Sequence, residues 1–161
     1  MALLVGKQHV NRIDKKGRLS VPKPFRDVFE AQGFRGVYAF PSFKFPAVEV
    51  CGLALMKRLE ASLDHLALFS DDRDDLAAVI LNNAEALPFD PEGRIMLPDE
   101  FRAHAKIDGA ALFVGGGQRC QIWEPTAFAE RNRAAFDRAR ARGTVLPMHP
   151  PVVDDDGTGP S

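Results

Sequence analysis

The chain is predicted to be mainly β with helices, an α+β fold built from two tandem β-β-α-β-β repeats with helices between and after them. Three observations predict it. The first is a duplicated segment. Residues 11–26, NRIDKKGRLSVPKPFR, align with residues 87–102, LPFDPEGRIMLPDEFR. The alignment sets Asp14 on Asp90, Gly17 on Gly93, Arg18 on Arg94, Pro22 on Pro98, Phe25 on Phe101 and Arg26 on Arg102. The second is the turn chemistry inside each copy, and the third is a stretch of helical periodicity between them. The copies share a frame but not a charge, for Lys15 and Lys16 of the first stand where Pro91 and Glu92 stand in the second.

Asp-Lys-Lys-Gly suits a type I turn whose fourth residue is left-handed, the arrangement that closes a β-hairpin with a bulge. Asp-Pro-Glu-Gly suits it equally, since proline at the second position already has the required φ. Gly17 and Gly93 are therefore expected at positive φ. A proline and a short amphipathic stretch follow each turn, KPFRDVFEAQ and DEFRAHAKI, with Pro24 and Asp99 placed to start a helix. GVYAFPSF with AVEVCG, and AALFVGGG with RCQIWEP, supply the remaining strand pairs. Between the halves, residues 53–68 place Met56, Leu59, Leu63 and Leu66 on one stripe. Residues 71–87 place Leu76, Ile80, Asn83, Ala84 and Leu87 on another. Ser70 is a candidate N-cap, and Asp71, Asp72 and Asp74 suit the positive end of the helix dipole. The expected division is repeat 1 over 8–55, a helical linker over 56–83, repeat 2 over 84–127, a C-terminal helix over 128–143 and a disordered tail over 147–161. That tail has too little apolar material to offset its ordering entropy.

A formal net charge of −1 argues against a uniformly basic nucleic-acid binder. The average hides segregation. Residues 7–26 hold Lys7, Arg12, Lys15, Lys16, Arg18, Lys23 and Arg26 against the single acid Asp14, whereas SDDRDD and VVDDDGTGPS gather acids. MALLVGKQ has neither the basic region nor the cleavage site of a signal peptide, and no apolar run is long enough to span a membrane. Cys51 and Cys120 are expected to be reduced, buried residues. The four histidines lack metal-ligand spacing, so no metal and no cofactor is expected.

DKKGRLSVPKPFR, a second DPEGRIMLP half a chain later and then ALFVGGGQRCQIWEP strongly resemble the MraZ family, over about Gly6 to Ala139. The resemblance implies two tandem SpoVT/AbrB-type domains forming a double-split β-barrel with pseudo-twofold symmetry. It also implies a ring-shaped homo-oligomer in the cytoplasm, on the nucleoid. Such a ring would bind double-stranded DNA at short direct repeats in its own upstream region, ahead of the division and cell-wall gene cluster, and regulate transcription there. The family's Asp-x-x-x-Arg maps onto Asp14 and Arg18, and onto Asp90 and Arg94. Pro91 and Glu92 depart from a basic tip.

Lys and Arg approaching duplex DNA release condensed counterions. Arg12, Lys15, Lys16 and Arg18 on one turn, with Arg94, are the candidate DNA contacts, and Arg18 is suited to a guanine O6/N7 edge. Asp14, Gly17, Asp90 and Gly93 are the candidate frame. The plain alternative is that Asp14 and Arg18 pair across the turn while the lysines keep a β edge soluble. VGGGQR lacks the Gly-Lys-Ser/Thr ending of a phosphate loop and reads as a strand connection. RNRAAFDRARAR is a candidate second basic patch for DNA, but Phe128, Ala135, Phe136 and Ala139 form an apolar stripe that favours an ordinary packed helix with a solvated face. No nucleophile elbow, carboxylate pair or Cys-His signature supports an enzyme. The alternatives to a DNA-binding regulator are a protein-binding or assembly module on the same barrel, and an enzyme with an unrecognised site.

Overall fold

The computed structural model describes residues 3–151. The first half runs β1 (Asn11–Arg12), β2 (Arg18–Ser20), α1 (Lys23–Glu30), β3 (Gly36–Pro41) and β4 (Ala47–Cys51). Then come α2 (Leu53–Leu63) and α3 (Asp71–Ala77), which continues into a π-helical turn, Ala78–Asn82. The second half repeats the order with β5 (Glu85–Pro88), β6 (Arg94–Met96), α4 (Asp99–His104), β7 (Ala110–Gly115) and β8 (Arg119–Trp123). The last element is α5 (Pro125–Arg142). The chain to Phe128 forms one compact unit, and the segment from Ala129 forms another.

The first unit is a split β-barrel of the α+β class. Six strands form an antiparallel sheet in the order β1-β7-β8-β4-β3-β5, and β2 pairs with β6 in a sheet of two. Exchanging the halves reverses the six-strand order onto itself, so a pseudo-twofold axis relates the repeats. Two residue pairs sit on that axis, Leu19 opposite Ile95 in β2-β6 and Glu49 opposite Gln121 in β4-β8.

The hairpin read from the turn residues is only one bridge long, Ile13 to Leu19. Its arms then part: β1 pairs with β7 of the other half and β2 with β6. A hairpin this short cannot cover its own apolar face. Crossing over buries Ile13, Leu19, Val21, Ile95 and Leu97 in one shared core. The crossing is stitched symmetrically, with the Leu97 N–H donating to Gly17 O at 2.7 Å and the Val21 N–H to Gly93 O at 3.1 Å. α1 adds Phe25 and Phe29, one turn apart on one face, and α4 adds Phe101. Phe25 meets Phe113 of β7 edge to face at 6.5 Å.

The helical stripe read over 71–87 ends earlier than expected. Ser70 Oγ accepts the Arg73 N–H at 3.2 Å and caps α3 as its residue type suggests. The helical run stops at Asn82, however, and Leu87 lies on β5, buried opposite Val37. Pro88 explains it, since a residue before proline is pushed from helical to extended backbone. The packed C-terminal helix is also corrected. α5 starts three residues before the expected 128 and ends at Arg142, followed by Gly143 at φ +59°, and none of its residues is buried. Phe128 rests on Trp123 at 5.7 Å, while Phe136 is 61% exposed. Its stripe is largely alanine, which offers little area for burial. Of the expected tail, 147–151 are exposed without regular structure, and 152–161 lie outside the described residues.

Candidate nucleic-acid interface

One Asp side chain builds each turn. Asp14 Oδ1 accepts the backbone N–H of Lys16 at 3.0 Å and of Arg18 at 2.9 Å, and Oδ2 accepts Arg18 Nε at 2.5 Å. Asp90 Oδ1 accepts the N–H of Glu92 and of Arg94, each at 2.9 Å, and Oδ2 accepts Arg94 Nε at 2.8 Å. A side-chain carboxylate thus stands in for a backbone acceptor and closes the turn twice. Gly17 and Gly93 complete it at φ +87° and +78°. In both halves the Arg backbone N–H, ahead of other causes, holds the Asp carboxyl below its ordinary value. Asp90 in turn raises the Arg94 guanidinium.

Asp14 and Arg18 therefore do pair across the turn, but the pair orients the arginine without hiding it. Both side chains keep 38% of their surface exposed. Lys15 and Lys16 are exposed at the tip. Arg12, Ile13, Asp14, Arg18, Ser20 and Arg94 line one concavity of about 350 Å³. Three arginines line it, Arg18 held by Asp14 and Arg94 by Asp90, while Arg12 is exposed. Arg94 comes from the other half, brought in because β2-β6 pairing sets it opposite Ser20. Ser20 carries no motif signal, and its place in the notch is visible only in that register.

The second side of the axis has the same frame and a different surface. In the register that aligns Asp14 with Asp90, Arg12 is replaced by Pro88, Ile13 by Phe89 and Ser20 by the exposed Met96. The concavity on this side, about 650 Å³, is lined by Phe34, Arg35, Pro88, Phe89, Asp90 and Pro91. Glu92 Oε2 lies 3.4 Å from Arg94 Nη2, so a second carboxylate attends that arginine. The first concavity is lined by three arginines and the second by one, Arg35.

Other features of the sequence are accounted for by packing. A Cβ on Gly115 would collide with the Leu4–Val5 backbone, so the glycine run admits the N-terminal segment alongside β7. Burial pushes the Cys51 thiol up to about 12 and Cys120 well above its ordinary value, which keeps both as thiols and not as nucleophilic thiolates. Among the described residues, no group of three or more His, Cys, Asp or Glu side chains is placed to hold a metal ion, and no helix is long and apolar enough to cross a membrane.

Comparison with known proteins agrees with the motifs. The family model for "MraZ protein", antitoxin-like, matches residues 80–143. A protein of Pelagibacter ubique named transcriptional regulator MraZ is 45% identical over 134 residues, 80% of this chain and 86% of that one. The protein of that name from Gluconacetobacter diazotrophicus is 42% identical over 150 residues, 91% and 93% of the two chains. That from Parvibaculum lavamentivorans is 46% identical over 125 residues, 76% of each. With this identity sustained across both repeats, the chain belongs to the MraZ family.

Proposed function

We propose that this chain is a cytoplasmic, nucleoid-associated transcriptional regulator that grips duplex DNA through its first-half turn. The observation that carries the reading is the convergence of Arg12, Arg18 and Arg94 on one open notch beside exposed Lys15 and Lys16. Arg18 and Arg94 are held in place by Asp14 and Asp90, and the exposed Arg12, Lys15 and Lys16 beside them add basic charge that a DNA phosphate can meet. Asp14 positions Arg18 by its Nε, which leaves the outer edge of the guanidinium to a phosphate or a guanine edge. The second turn, with Pro91 and Glu92, serves the fold.

One turn makes only about four phosphate contacts, a weak hold at physiological salt. Several copies linked in a ring-shaped homo-oligomer would gain avidity on direct repeats spaced by ~10 bp, one helical turn. The resemblance to the family points to repeats in the protein's own upstream region, ahead of division and cell-wall genes. The test is a gel shift with that upstream DNA and with random DNA at two salt concentrations. Preferential, salt-sensitive retardation of the upstream fragment is expected. Equal, salt-insensitive mobility of both would end the reading.

A further inference from the structure

We infer that α5 of one copy docks on the linker helices α2 and α3 of a second copy, its exposed outer half covering an apolar, acidic surface that the linker leaves open. The inference rests on the self-association proposed above and assigns the surfaces that make it.

The first surface is a helix without a cover. An amphipathic helix in a protein draws most of its stability from packing its apolar face. In α5 no residue is buried, and from Phe136 to Arg142 every residue is exposed. The segment is also cationic, with five arginines against Glu130 and Asp137.

The second surface is complementary in both respects. In α2, α3 and the π-helical turn, Leu63 alone is buried. The connection between α2 and α3 presents Leu68 at 68% and Phe69 at 84% exposure. Phe69 sits at φ +67°, a left-handed backbone that a bulky residue adopts only at a cost. The ring stands in solvent there. Directly after it come Asp71, Asp72, Asp74 and Asp75. From residue 53 to 82 there are six acids against three bases, and one of those bases, Arg73, is already paired with Asp64 at 3.3 Å. An arginine-bearing helix that carries an exposed Phe136 matches an acidic surface with exposed Leu and Phe.

DNA does not suit the linker, whose carboxylates repel phosphate, and it gives Phe136 nothing to pack on. A second copy answers both surfaces at once. Because the two patches differ, the contact is head-to-tail and passes from copy to copy until it closes.

Charge reversal on the full chain tests it by sedimentation velocity, with circular dichroism as the check on folding. Arg133→Glu with Arg140→Glu, and separately Asp72→Arg with Asp75→Arg, are each expected to reduce the wild-type assembly to monomer. The fourfold variant, with both signs reversed, should regain the wild-type mass, which an unfolded chain cannot do. If each double variant keeps the mass of an oligomeric wild type, copies associate through other surfaces and the inference falls while self-association stands. A monomeric wild type removes both. Loss of DNA retention by Arg133→Glu with Arg140→Glu at unchanged mass assigns α5 to DNA and overturns the inference, as does a fourfold variant that is folded but monomeric.

Discussion

Leu97 donates its N–H to Gly17 O at 2.7 Å, and its own carbonyl oxygen lies 2.6 Å from the point a Cβ on Gly17 would occupy. The first turn is therefore clamped against the strand end of the other half. At Gly93 the corresponding obstacle is the Arg26 guanidinium, the far end of a flexible side chain. Both glycines sit at positive φ, so Gly17→Val and Gly93→Val should each cost more than about 1 kcal/mol in urea unfolding. Gly17→Val should cost more, since backbone cannot swing aside. Equal or negligible losses would refute the clamp.

For DNA, frame and charge should separate. Lys15→Ala with Lys16→Ala should leave the melting temperature unchanged and make the slope of log K against log salt shallower by about 0.9 per contact removed, on specific and random DNA alike. Arg18→Ala should cost about 1–3 kcal/mol on the specific site and relax sequence preference there. Alanines at Pro91 and Glu92 should leave the slope unchanged. Fluorescence anisotropy across a salt series measures all three. A wild-type slope in the lysine variant, with a changed slope at the second tip, would show that the second half faces the DNA.

Asp14 and Asp90 predict acid sensitivity. Each carboxyl titrates below its ordinary 3.8 in the folded chain, first because the Arg18 or Arg94 backbone N–H hydrogen-bonds to it. A depressed folded-state value means that unfolding takes up protons as pH falls. The contribution is fully present above about pH 5 and is lost as pH drops through the lowered folded-state values. The melting temperature should fall over that acid range. Asp14→Asn with Asp90→Asn should lower it at pH 7 and flatten its acid dependence. An unaltered acid profile in that variant would show that other groups govern it.

On the other axis pair, Gln121 Nε2 donates to both Glu49 carboxylate oxygens, at 2.5 and 3.1 Å, while its Oε1 accepts Trp123 Nε1 at 2.8 Å. Glu49 is buried. Gln121→Leu leaves that carboxylate without its amide donor, with Arg119 Nε still 3.8 Å away, and should cost about 1.5–3 kcal/mol. Glu49→Gln, which keeps a neutral acceptor, should cost less than about 1.5 kcal/mol. Trp123 is the single tryptophan, so its emission reports both unfolding curves. A larger loss in Glu49→Gln than in Gln121→Leu would refute this assignment of roles.

Much of the fold was legible because its signals are local. Asp at the first and Gly at the fourth turn position, proline before a short helix, and Ser70 before an acidic run each act through the neighbouring backbone. The errors arose where a distant partner decides. Leu87 fits a helical stripe by spacing, yet pairing opposite Val37 of β3 makes it a strand residue, as the neighbouring Pro88 also favours. The apolar spacing of α5 resembles that of a packed helix, but spacing does not supply the surface to pack on.

By itself the sequence determined that a turn is built twice, by Asp14 with Gly17 and by Asp90 with Gly93, and that only one of the two carries lysines. Tertiary structure decided what each turn is joined to. β2 meets β6 instead of β1, and through that register Arg94 reaches the notch of Arg12 and Ser20. The reason is that turn geometry is set by hydrogen bonds spanning four residues. Strand pairing between halves is set instead by which arrangement buries Leu19 and Ile95 together, and no local stretch of chain encodes that choice.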